Sequence, residues 1–151
     1  MIITADAKNW RELGTGHQCN DSYRYWFWGY GSNGTWVPLG TQSGITNGQW
    51  HFFKIERVFE DTFNRYKFRI DGVIKAVMTS NATGPSVEAG LESYADTATV
   101  AGHNYTTLQY QKNNGSFFNW VGQDASVVNP PLCGFWVAAI SWRAGEGAGQ
   151  C

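Results

Sequence analysis

The chain has 151 residues, a formal charge of −1 and a pI near 6.3, with 16% aromatic and 15% charged residues. That length is one domain's worth and buries a sizeable core. The near-neutral charge lacks the basic footprint of a nucleic-acid binder, and no apolar run approaches the roughly 20 residues that a bilayer span needs.

Taken in chain order, the opening MIITADAKNW shows no signal peptide, which leaves a cytosolic, processed or trimmed chain. Residues 9–15, NWRELGT, read as a strand that alternates Trp10, Glu12 and Gly14 against Arg11, Leu13 and Thr15. YRYWFWGY at 23–30 is a second strand with both faces aromatic. Tyr23, Tyr25 and Phe27 make the better core face, because the opposite set of Trp26, Trp28 and Tyr30 includes Arg24. GSNGTW at 31–36 is turn material leading to a short strand near Trp36, and TNG at 46–48 is another turn before the long strand 49–59. RYKFRI, Asp71-Gly72 and VIKAVMT form a hairpin over 65–79, since Asp-Gly supplies the positive φ angles of a two-residue turn. The outward Arg65, Lys67 and Arg69 read as protection of a sheet edge.

In 86–94, SVEAGLESY, the residues Val87, Ala89 and Leu91 oppose Glu88, Gly90, Glu92 and Tyr94. Further strands are expected near 104–111, 116–121 and 134–142, with NPP breaking the chain before the last and a loose tail over about 144–151. No helical period is sustained. About nine short strands with turns between them predict one all-β domain over 1–151, an antiparallel two-sheet β-sandwich.

Three cysteines, an odd number, leave one thiol over. Cys19 and Cys133, both in turn-like contexts, are the pair best placed for a bridge; three reduced thiols is the alternative, and Cys151 offers a link to another chain. Five N-x-S/T sequons, at Asn20, Asn33, Asn81, Asn104 and Asn114, read as glycosylation acceptors or as turn chemistry. The histidines His17, His51 and His103 show no ligand spacing, so neither a metal nor a cofactor is expected. The weakly charged, aromatic, Asn/Thr/Gly-rich composition is associated with secreted, extracellular proteins.

WHFFKIERV followed by YKFRIDGVIKAV, within 49–79, resembles the strand-and-hairpin pattern of concanavalin A-like and laminin-G-like jelly rolls. The resemblance implies two packed antiparallel sheets, one of them concave. A second resemblance, carried by RELGTG, YRYWFWGY and VEAGLES, is to glutamic peptidases of the eqolisin and neprosin type. It implies a catalytic glutamate at Glu88 and places Glu12 where eqolisins carry a glutamine and neprosins a second glutamate.

Two candidate sites follow. Trp26, Trp28 and Tyr30 would line a groove in which sugar rings stack on indole and phenol faces, while Arg24, Glu88 and Glu92 bond hydroxyls and Tyr94 joins the ligand-binding set. Glu88 and Glu92 stand roughly 13 Å apart along one strand, too far for a hydrolytic pair, so either could pair across strands with Glu12, and the peptidase resemblance implies Glu88 with Glu12 as the catalytic pair. The expected function is therefore a lectin-like module binding polysaccharide or glycan. A hydrolase, either glutamic peptidase or glycosidase, is the alternative, and an assembly protein linked through Cys151 is a third.

Overall fold

The structure, a computed structural model, describes residues 2–6, 8–17, 24–46, 48–80, 86–88, 100–105, 109–111, 115–119, 132–138 and 141–146. Its elements are all strands: β1 (Ile2–Asp6), β2 (Asn9–His17), β3 (Arg24–Ser32), β4 (Thr35–Ser43), β5 (Phe53–Glu60), β6 (Phe63–Ile70), β7 (Val73–Thr79), β8 (Ser86–Glu88), β9 (Val100–Tyr105), β10 (Gln109–Gln111), β11 (Phe117–Asn119), β12 (Leu132–Ala138) and β13 (Ser141–Glu146). No helix occurs among the described residues. The chain falls into two compact units, Met1–Ala89 and Gly90–Cys151.

The first unit holds a five-stranded sheet, in the order β4-β3-β2-β1-β8, and a three-stranded sheet, β5-β6-β7, with every neighbouring pair antiparallel. Three of its turns are two residues long with both φ angles positive: Asn33-Gly34 (52° and 81°), Asp61-Thr62 (50° and 72°) and Asp71-Gly72 (51° and 80°). These mirror-image turns match the right-handed twist of the strands they join. The Gly34 N–H donates to the Lys8 carbonyl at 2.9 Å, which ties the β3–β4 turn to the chain entering β2.

The core of this unit is shared by its two sheets. Leu13 and Trp28, neighbours across β2 and β3, contribute from one side; Ile55, Tyr66, Phe68 and Ile70 contribute from β5 and β6. Trp26, Phe53, Ala76 and Met78 pack around them. Each such large apolar side chain stabilises the fold by about 1.5–3 kcal/mol when fully buried. Arg11 also lies here, 4% exposed and between two tyrosine rings.

Four expectations need correction. The core face of β3 is the Trp26/Trp28/Tyr30 face and not the Tyr25/Phe27 face. Arg24 does not oppose this, because it sits exposed at the start of the strand, where its guanidinium reaches water. The basic strip of Arg65, Lys67 and Arg69 does not guard an edge, since β6 is the middle strand of its sheet. A further strand, β1, precedes the first one expected and pairs with both β2 and β8. In the second unit, 134–142 is not one strand: β12 and β13 pair antiparallel there, β13 also pairs with β9, and it runs on through Glu146. The remaining pair of that unit is β10 with β11.

Candidate functional site

The face of the five-stranded sheet turned away from the core is built row by row from a repeating match of large and small. Across β2 and β3, Trp10 pairs with Gly31, Glu12 with Gly29, Phe27 with Gly14 and Tyr25 with Gly16. On β4, Trp36 pairs with Gly31 and Thr41 with Phe27. Each ring covers a neighbouring glycine. A Cβ at Gly31 would run into the Trp10 indole, one at Gly29 would meet Trp36, one at Gly16 would stand 2.6 Å from Tyr25, and one at Gly14 would stand 3.1 Å from Phe27. Glycine in a strand marks close approach of another group, and here that group is an aromatic ring lying over the bare backbone.

The result is an aromatic strip. Phe27 and Trp36 meet edge to face, with ring centroids 5.9 Å apart at 82°. Trp36 is 37% exposed, while Trp10, Tyr25 and Phe27 are half-buried. Rows on one face repeat every second residue, so the four rows from Trp10 to Tyr25 span roughly 20 Å. The carboxylate of Glu12 lies within this strip and accepts a hydrogen bond from Trp10 Nε1 at 3.2 Å. Thr41 is exposed beside it.

The residues singled out from sequence are divided between this face and the core. Glu12 stands on the aromatic strip. Glu88 falls in its row: Ile2 of β1 pairs with Glu12 on one side and Glu88 on the other, so the two glutamates are two strands apart. Trp28 is in the core, 7% exposed, with its indole over Gly40. Tyr30 lies on the core-facing side under the Arg11 guanidinium, 5.9 Å from its ring centroid. Trp26 is half-buried on that side too, its ring 5.4 Å from Lys75 Nζ. Arg24 is exposed. Glu92, Tyr94 and Cys19 lie outside the described residues. Cys133 pairs with Gly145 in the β12–β13 ladder, and a Cys19–Cys133 bridge likewise lies outside what is described.

Sequence reasoning passed over Trp10 and Trp36. The signal for them is the glycine parity: Gly14, Gly16, Gly29 and Gly31 all fall on the face of Trp10, Tyr25 and Phe27, leaving room for rings that a side chain would deny.

A second polar cluster sits where β5 begins. His51 Nδ1 and Asp71 Oδ2 are 2.8 Å apart, and Asp71 Oδ1 accepts from the Phe52 backbone N–H at 2.8 Å. Burial alone would raise the Asp71 carboxyl. The Phe52 N–H, His51 and the Lys75 charge outweigh it and hold the group below its ordinary value. The Trp26 and His51 rings meet edge-on at 5.0 Å, and the buried Nε1 of the one and Nε2 of the other have no hydrogen-bond partner among the described residues. No group of three or more metal-ligating side chains occurs among the described residues. No protein family, curated protein or solved structure matches the chain.

Proposed function

We propose that this protein is a carbohydrate-binding module whose site is the aromatic outer face of the five-stranded sheet. The observation that carries the reading is the strip of Trp10, Tyr25, Phe27 and Trp36, each ring lying over a cross-strand glycine, with the Glu12 carboxylate among them. Sugar rings offer apolar C–H faces for such rings and hydroxyls for a carboxylate. An aromatic surface of this extent on the outside of a sheet is more than scattered exposure requires. The fold that goes with it is a two-sheet sandwich of jelly-roll type, within an extracellular protein. In support of that fold, two antiparallel sheets share one core, and β8 returns from the second sheet to lie beside β1, a Greek-key feature.

The test is retention on insoluble polysaccharides and a glycan array, run with the parent chain and with Phe27→Ala and Trp36→Ala. Loss of binding in both variants with unchanged folding is the expected result. Binding that survives both removes the strip from the site.

The shared row of Glu12 and Glu88 favours a second reading, hydrolysis. Two strand spacings put their backbones roughly 9.5 Å apart, near the 6.5–9.5 Å between carboxyl groups of inverting glycosidases and beyond the 5–5.5 Å of retaining ones. Hydrolysis of a bound polysaccharide with inversion, lost in both Glu12→Gln and Glu88→Gln, would establish it. Turnover unchanged by either variant eliminates the pair.

A further inference from the structure

We infer that the ligand of the aromatic strip is an electrically neutral polysaccharide chain lying extended along the strands, and that acidic polysaccharides are excluded; this rests on the carbohydrate-binding reading above. Two features of the strip lead there. The first is its charge. Within β2, β3 and β4 the outer face carries Trp10, Glu12, Tyr25, Phe27, Trp36, Pro38, Thr41 and Ser43, and its single formal charge is the Glu12 carboxylate. The arginines of these strands, Arg11 and Arg24, take the opposite parity and stand on the other side of the sheet. Lys8 belongs to none of these strands; it is exposed in the turn that precedes β2.

Recognition of a uronate or a sulfated sugar relies on charge-assisted bonds from Arg or Lys, with Arg favoured because its fork matches a carboxylate. None of these strands provides either on this face. Worse for an anion, Glu12 sits among rings of low polarity, where repulsion between like charges is screened less than in water. A neutral chain meets no such penalty, and its hydroxyls can donate to Glu12 while its ring faces stack on the aromatics.

The second feature is shape. The glycines under the rings keep the surface low, with no side chain rising from Gly14, Gly16, Gly29 or Gly31 to wall off a pocket. A closed socket selects a chain end or a single sugar. An open strip of roughly 20 Å accepts a run of sugars from the interior of a chain, and affinity accumulates over successive stacked rings.

Affinity electrophoresis of the whole chain in gels containing a neutral β-glucan, a polygalacturonate or no polymer tests both parts, with free glucose and a glucan oligosaccharide as competitors. The expected result is retardation by the glucan, at least tenfold weaker retardation by the polygalacturonate, and competition by the oligosaccharide but not by glucose at equal sugar concentration. Glu12→Gln, which keeps an acceptor for Trp10 Nε1, should narrow the difference between the two polymers. Equal retardation by both polymers, or a gap left intact in Glu12→Gln, overturns the charge argument and leaves the strip as a glycan site. Competition by glucose equal to that by the oligosaccharide overturns the extended-chain part. No retardation by any polymer, with Trp36→Phe and Phe27→Leu equally inert, overturns the carbohydrate reading itself.

Discussion

Arg11 concentrates the competing energies of the core in one residue. Its guanidinium is buried, with no carboxylate among the described residues to pair with, and burial lowers its pKa from the ordinary value while the charge distribution of Tyr66 and Tyr30 works the other way. Removing an ion from water costs several kcal/mol. Against that stand rings of Tyr66 at 4.9 Å and Tyr30 at 5.9 Å, a bond to the Trp10 carbonyl at 2.8 Å and a bond to Ser80 Oγ. Cation–π contacts contribute about 0.5–2 kcal/mol each and charged hydrogen bonds about 1.5–3. The sums are comparable, so Arg11→Met, which keeps the packing, should leave unfolding free energy within about 1 kcal/mol of the parent, whereas Arg11→Ala should lower it by about 2 kcal/mol or more through lost packing. Urea melts of the two variants separate charge from volume; equal losses in both would mean that the charge itself stabilises the core. A buried arginine of this kind was not legible from NWRELGT, where alternation says which residues share a face but not which face turns inward. The same ambiguity misassigned YRYWFWGY. With aromatics on both faces, one exposed Arg24 at the strand end was weak grounds for choosing between them. The glycines were the better guide. Gly31→Ala should cost about 1–3 kcal/mol, as overpacking does, because the new methyl meets the Trp10 ring; a thermal melt that matches the parent would show that this indole is free to move aside.

At the scale of elements, the turns were the most legible part. Asp-Gly and Asn-Gly each impose one backbone conformation, so the β6–β7 and β3–β4 hairpins lie where the residues place them. The β5–β6 turn was not visible, because Asp61-Thr62 contains neither glycine nor asparagine. Thr62 nonetheless holds φ at 72°, a conformation that a β-branched side chain opposes. A left-handed residue with a Cβ costs about 1–2 kcal/mol, and glycine relieves that at an entropic cost of about 0.5–1 kcal/mol. Thr62→Gly should therefore stabilise the hairpin by up to about 1 kcal/mol, a rise of about 4–8 °C per kcal/mol in midpoint for a unit of this size. A lower midpoint would show that Thr62 is held there by contacts worth more than its strain. The short strand β1 escaped notice for a different reason. It is specified by its two neighbours, through the pairing of Ile2 with Glu12 and Glu88, and not by any periodicity of its own.

Across the whole molecule, the two sheets of the first unit divide their outer chemistry. The aromatic strip carries one carboxylate, while the outer face of β5-β6-β7 carries a network in which Glu56 accepts from Lys54 at 2.9 Å and from Arg69 at 3.1 Å. The Lys54 hydrogen bond, with Arg69 adding to it against the cost of burial, holds Glu56 below its ordinary value, as the Phe52 N–H and His51 do for Asp71. Both folded carboxyls are depressed relative to the unfolded chain. The unfolded state thus binds more protons as pH falls through the ordinary carboxylate range near 4. Their stabilisation is complete above about pH 5 and is lost below it, as pH drops toward the folded values. Unfolding midpoints of the parent should fall between about pH 5 and pH 3. Glu56→Gln with Asp71→Asn should flatten that limb, while an asparagine before Gly72 preserves the two-residue turn. Because the network and the strip occupy different sheets, the double variant should still be retarded by neutral glucan to the same degree as the parent at pH 7. Retention of the full acid limb in the double variant would place the responsible carboxyls elsewhere. Loss of glucan retardation at unchanged folding would mean that the two faces are coupled through the core they share.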